Sequence, residues 1–198
     1  LKKLLQIARL QKSFSDGGYY CRGVRRASAL GNSFKMLAME MPHYPILMGE
    51  DHLNYSFFSY GPKGRILKSI WFEPLQFEPR KVFNLILRDI DLVTRNARAD
   101  VVSNNGDRNK VLSTVARSVA MLLGRYPTAC VIARGNSPAR TRLYRMMISN
   151  HLEKIQIYFP VYGLAGIKVE GFRKNQNYDG FMVRSRKFLN DNNPKKHE

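Results

Sequence analysis

Two short stretches of this sequence place anion-binding chemistry directly ahead of helical patterns. Asn104-Asn105-Gly106-Asp107-Arg108-Asn109-Lys110 runs into apolar positions at Val111, Leu112, Val115, Val119, Leu122 and Leu123. Arg134-Gly135-Asn136-Ser137-Pro138 runs into Arg140, Thr141 and Arg142. A helix leaves its first backbone N–H groups without intrahelical partners, and the positive end of its dipole lies there. Phosphate or carboxylate binds such an end without further machinery. Asn105, Arg108, Lys110, Arg134, Ser137, Arg140 and Arg142 are therefore the candidate anion-binding residues. Residues 107–154 hold nine basic side chains against two acidic ones, Asp107 and Glu153. A plainer reading stands beside this one. At about 100° per residue Arg142 and Arg145 share a helical face while Arg140 points away. Some of these arginines would then only bind strand ends or water, and Asp107 would only cap its helix.

Other chemistry is sparse. No paired carboxylates, GxSxG, HExxH or Cys/His arrangement is present, so catalytic residues stay unassigned. A small basic ribonuclease would need only charge stabilisation and a proton shuttle, for which Arg140, Arg142, Tyr144 and His151 are the available groups. His43, His52, His151 and His197 are scattered, without zinc-ligand spacing, and no metal is expected. The turns at residues 61–64 and 163–166 match neither a phosphate loop nor a dinucleotide fingerprint, and no cofactor is expected. Cys21 and Cys130 form no spaced framework and suit a reducing compartment, with Cys130 reading as a small apolar residue in a strand.

The elements that must position these residues follow from hydrophobic period. Residues 53–60 (LNYSFFSY) and 65–72 (RILKSIWF) read as a hairpin, with Ile66, Ile70 and Phe72 on one side. Within residues 53–60 alternate aromatics face opposite sides, giving either core packing or a base-stacking platform. Residues 81–90, 99–103, 128–133, 155–162 and 179–184 read as further strands. Helices are expected from about 107 to 124 and from a Ser137 cap with Pro138 at the first position to about 150–154. These elements predict a single α+β domain over residues 41–187: a mainly antiparallel sheet with two helices packed on one face. Residues 1–40 form a poorly patterned basic leader, read either as a nucleic-acid-binding arm or as sequence upstream of a native start near Met39 or Met41. Residues 188–198 read as a polar tail.

Composition agrees with a folded, basic domain. The chain has 198 residues, 44% of them hydrophobic, which excludes a collagen, a coiled coil and a wholly disordered chain. Lys plus Arg number 33 against 15 Asp plus Glu, a formal net charge of +18. That balance favours an anionic partner, nucleic acid first and an acidic membrane or protein second. The most apolar windows, 111–123 and 155–164, fall short of the roughly 20 residues a spanning helix needs. No membrane association and a cytoplasmic location are expected.

Ser59-Tyr60-Gly61-Pro62-Lys63-Gly64, Ser103 through Lys110, and Ser137-Pro138-Ala139-Arg140-Thr141-Arg142-Leu143-Tyr144 resemble a family of short uncharacterised bacterial proteins, a domain of unknown function. Lys174-Asn175-Gln176-Asn177-Tyr178 and Phe181 fit the same pattern. The resemblance covers about residues 41–187. It implies boundaries and compartment and brings no activity with it. The expected function is binding of a phosphate-bearing partner such as RNA or DNA through the turns before the two helices. The alternatives are a toxin-like ribonuclease on the same basic surface and an interaction module with an acidic protein partner.

Overall fold

The computed structural model describes residues 24–26, 41–75, 81–99 and 103–184. In chain order the strands are β1 (Val24–Arg26), β2 (Leu47–Gly49), β3 (Asn54–Gly61), β4 (Gly64–Leu75), β5 (Val82–Ile90) and β6 (Ala97–Arg98). Helix α1 (Arg108–Arg125), strand β7 (Cys130–Ala133) and helix α2 (Pro138–Tyr158) come next. Strands β8 (Val161–Ala165), β9 (Lys168–Gly171) and β10 (Gly180–Arg184) complete the order.

All ten strands belong to one sheet, ordered β1-β2-β3-β4-β5-β7-β10-β8-β9, with β6 also paired to β5. Every pairing is antiparallel except β5 with β7, where Val82 faces Cys130 and Leu85 faces Ala133. The expected hairpin is β3–β4, in register from Asn54 opposite Trp71 to Gly61 opposite Gly64. The β5–α1–β7 segment is a parallel crossover, the connection that normally carries a helix. A second crossover, β7–α2–β8, admits β10 between its strands. Both helices consequently begin at the sheet end where β5 and β7 finish.

Strand alternation sorts the side chains onto two faces. Tyr55, Phe57, Ile70, Phe72, Phe83, Leu85, Val131, Val161 and Phe181 share one face, and all are buried in the core. Val111, Leu112, Val115, Leu122 and Leu123 of α1 and Tyr144, Ile148 and Ile155 of α2 join the same core, so both helices cover that one face. The expected α+β architecture is thus the observed one.

Some boundaries differ. The apolar stretch at 155–162 divides: residues 155–158 are the last turn of α2, closed by Phe159 N–H donating to the Ile155 carbonyl. Ile155 continues the stripe of Tyr144 and Ile148, and Pro160, which has no N–H to donate, separates this turn from β8. Two of the Gly-rich positions are not turn residues. A Cβ on Gly163 would meet the Tyr178 ring at 2.1 Å, and one on Gly61 would sit 1.7 Å from the Asn105 carbonyl oxygen. The turns themselves use Gly64 and Gly166, whose φ values are +81° and +56°. Most of the expected strand at 99–103 lies outside the described residues, as do the tail and most of the leader. Val24–Arg26, within that leader, pair antiparallel with Leu47–Gly49.

Candidate functional site

The start of α1 is built by contact between two sequence motifs. Asn105 is buried, and its amide is spent on the β3–β4 turn. It donates to Ser59 Oγ and the Gly64 carbonyl, each at 3.0 Å, and accepts from Lys63 N–H at 2.9 Å. Asp107 occupies the N-cap position, but its side chain makes no cap hydrogen bond. Its carboxylate instead accepts from Tyr44 Oη at 2.7 Å and Ser59 Oγ at 2.6 Å. Burial raises the Tyr44 phenol above its ordinary pKa, and the neighbouring Asp107 pushes it the same way, so Tyr44 stays a donor. Lys110 Nζ stands 4.2 Å from the centre of the Tyr44 ring. The cap expected of Asp107 is therefore replaced by a tertiary network.

The start of α2 follows the ordinary rule. Ser137 accepts from Arg140 N–H at 3.3 Å, with Pro138 at the first helical position. Arg140 turns back, its guanidinium donating to the Ala99 carbonyl at 2.6 Å, and the Asn136 amide reaches the same oxygen. Arg145 donates to the Gln176 carbonyl and to Asn177 Oδ1.

The seven candidates thus fall into distinct places. Arg108 and Lys110 line a cleft of about 310 Å³ with Met41, Leu143, Met146 and His151. Ser137 and Arg142 line a second, more open cleft of about 600 Å³ with Arg145, Asn177 and Asp179. Asn105 is internal, and Arg140 is tied to Ala99. Arg134 is the register partner beyond Ala133 and lies over Gly180, on the sheet face away from the helices; a Cβ at Gly180 would sit 2.6 Å from its Cγ. Among the described residues no carboxylate pairs with Arg108, Lys110 or Arg142. The ribonuclease quartet is not gathered either: His151, at a kink in α2, lines the first cleft, Arg142 the second, and Tyr144 is buried in the core.

One polar group escaped sequence reasoning. Lys68 alternates onto the core face, buried, where its Nζ donates to Asp89 Oδ1 at 2.5 Å and Ser103 Oγ at 2.8 Å. Its signal is a charge at an inward position of β4, which becomes intelligible only once Asp89 is known to lie opposite. Among the described residues no group of three His, Cys, Asp or Glu side chains could hold a metal, and no helix is long and apolar enough to cross a membrane.

The motifs that meet at α1 also define the relationship to known sequences. A family of unknown function (DUF6934) matches residues 40–186. The chain belongs to that family. No curated protein and no solved structure matches it. The DUF6934 span agrees to within a residue at each end with the 41–187 expected from the motifs, and it contains both helix starts, both clefts and every strand except β1.

Proposed function

We propose that this DUF6934 chain binds a phosphate-bearing polymer, RNA or DNA, at the sheet end where α1 and α2 begin. The observation that carries the reading is the lining of the cleft at the start of α1. Among the described residues it presents Arg108, Lys110 and His151 and no carboxylate. The first turns of both helices hold no acidic residue, and the Asp107 carboxylate at the α1 N-cap is turned to Tyr44 and Ser59. Arg108 and Arg142 suit bidentate phosphate contact, and Lys110 acts as a point charge. Asn105 and Arg140 hold the loops that carry these groups. The proposed setting is the cytoplasm.

The test is a salt titration by fluorescence anisotropy with generic single-stranded and duplex oligonucleotides. Wild type is expected to bind at low salt, with log K falling linearly against log salt. The double variant R108A/K110A is expected to lower that slope by about one to two units, at roughly 0.9 per lost contact on duplex DNA. Absence of binding at low salt, or an unchanged slope in the variant, overturns the reading and favours an acidic protein partner.

A further inference from the structure

The second face of the sheet carries a different set of side chains. Alternation places Phe58 and Tyr60 of β3, Arg65 and Trp71 of β4 and Arg88 of β5 there, together with Tyr162 of β8 and Arg184 of β10. Neither helix lies on this face, because every strand residue of the core cluster belongs to the other. Three arginines stack on three aromatic rings from neighbouring positions. The Arg65 guanidinium lies 4.5 Å from the Phe58 ring centre, that of Arg88 5.0 Å from Trp71, and that of Arg184 4.4 Å from Tyr162. Among the described side chains, β3, β4 and β5 place Arg65 and Arg88 on this face against one carboxylate, Glu73, which accepts from Asn84; toward β7, β10 and β8 the face is closed, with Ile132 and Leu164 buried. Tyr60, at the end of the row, is 54% exposed.

We propose that this face binds single-stranded nucleic acid, with bases stacking on the arginine–aromatic pairs of β3, β4 and β5. The inference rests on the nucleic-acid reading above and adds to it how a strand would be told from a duplex. Aromatic rings and arginine planes both serve as stacking partners for unpaired bases, and Arg65 beside Phe58 is exposed. A duplex keeps its bases stacked on one another and has none to offer. The register sets the spacing. Phe58 lies opposite Leu67, and Trp71 is four residues further along β4. The two pairs therefore stand about 13 Å apart along the strands, too far for one base and suited to separate nucleotides of an extended strand. The charge excess complements the backbone between them. Lysine would give the same charge without the plane, and the lysine of β4, Lys68, faces the other way, toward Asp89.

Trp71 is the single tryptophan of the chain, so its fluorescence reports the proposed contact directly. Full-length protein is titrated with a mixed-sequence single-stranded 12-mer, as RNA and as DNA, with an abasic 12-mer of the same length, and with the duplex. Saturable quenching of Trp71 by an ordinary strand, with at least about tenfold weaker binding of the abasic strand, is the expected result; stacking contributes that much per base. The variants F58L and R65Q are expected to weaken binding of the ordinary strand about tenfold, with little effect on the abasic one. Their melting curves show whether the fold is kept, and R65Q, at an exposed side chain, serves if F58L unfolds. Equal binding of ordinary and abasic strands, or binding without change in Trp71 emission, overturns this proposal while leaving phosphate binding at the helix starts intact. Absence of binding of any strand at low salt overturns both.

Discussion

The two helix starts solve one physical problem in opposite ways. Each leaves backbone donors at the same end of the sheet, and each is preceded by a short polar side chain of the kind that caps helices. Ser137 does cap, accepting from Arg140 N–H, and the loop before it is held from outside by Asn136 and Arg140 on the Ala99 carbonyl. Asp107 is drawn away by Tyr44 and Ser59, and the loop before it is held from inside by Asn105. A carboxylate given two hydroxyl donors satisfies them better than it satisfies one peptide N–H. A helix start is thus shaped by what the neighbouring strands offer as much as by its own sequence.

The comparison breaks most visibly at Gly61. A Cβ there meets the Asn105 backbone, which cannot rotate aside, whereas one at Gly64 meets nothing within 4 Å. Gly61→Ala is expected to cost about 3 kcal/mol. Gly64→Ala should cost about 1 kcal/mol for its positive φ alone. Urea denaturation of both variants checks this, and equal losses would mean the α1 loop does not press on the β3–β4 turn as described.

Asp107→Ala comes next. It leaves the Tyr44 and Ser59 hydroxyls without their acceptor, an expected loss of about 2–3 kcal/mol. Ser137→Ala should lose about 1 kcal/mol, the ordinary value of a cap. Similar losses at the two positions would erase the distinction between a tertiary network and a local cap.

A third pair separates holding from binding. Arg140→Gln is expected to lower stability by about 1 kcal/mol through the lost Ala99 contact, leaving the salt slope of oligonucleotide binding unchanged. Arg142→Gln should change stability by less than about 0.5 kcal/mol and reduce the slope. A reversed pattern in denaturation and anisotropy would exchange their roles.

How much of this was legible beforehand depended on range. The α1 stripe and the Ser137 cap are local patterns, and both are found where the periodicity and cap chemistry place them. Residues 155–158 misled because Ile and Tyr are strand formers, and the deciding fact is that Ile155 lies on the stripe of Tyr144 and Ile148. The short strands β2, β6 and β9 have between two and four residues, too few to show a period. Site geometry was less legible still. That Asp107 would meet Tyr44, Lys68 meet Asp89, or Arg88 stack on Trp71 follows from strand register, which no window of the sequence contains. Even the arginines quoted together, Arg134, Arg140 and Arg142, go to a sheet face, a loop carbonyl and a cleft respectively.

The last comparison concerns the Tyr44 phenol, and it isolates the network from its mere packing. Burial, reinforced by Asp107, raises the Tyr44 pKa in the folded protein above the value of about 10 found in an unfolded chain. A raised acid favours the folded state while it stays protonated. Its contribution is fully present below pH 10 and is lost as pH climbs toward and through the folded value, because only the unfolded chain gains by ionising. Tyr44→Phe removes both the hydrogen bond to Asp107 and this titration. At pH 8 the variant should be less stable by about 1 kcal/mol. As pH rises beyond 10 the wild type should lose stability faster than the variant, so the difference between them narrows. Tyr144, on the core side of α2 and raised by the same desolvation, makes no such bond to a carboxylate, and Tyr144→Phe should show the narrowing from a smaller difference at pH 8. Denaturation midpoints of the three proteins from pH 8 to 11 decide the matter. A wild-type advantage over Tyr44→Phe that stays constant across that range would show that the phenol beside Asp107 ionises as freely in the folded protein as in the unfolded chain.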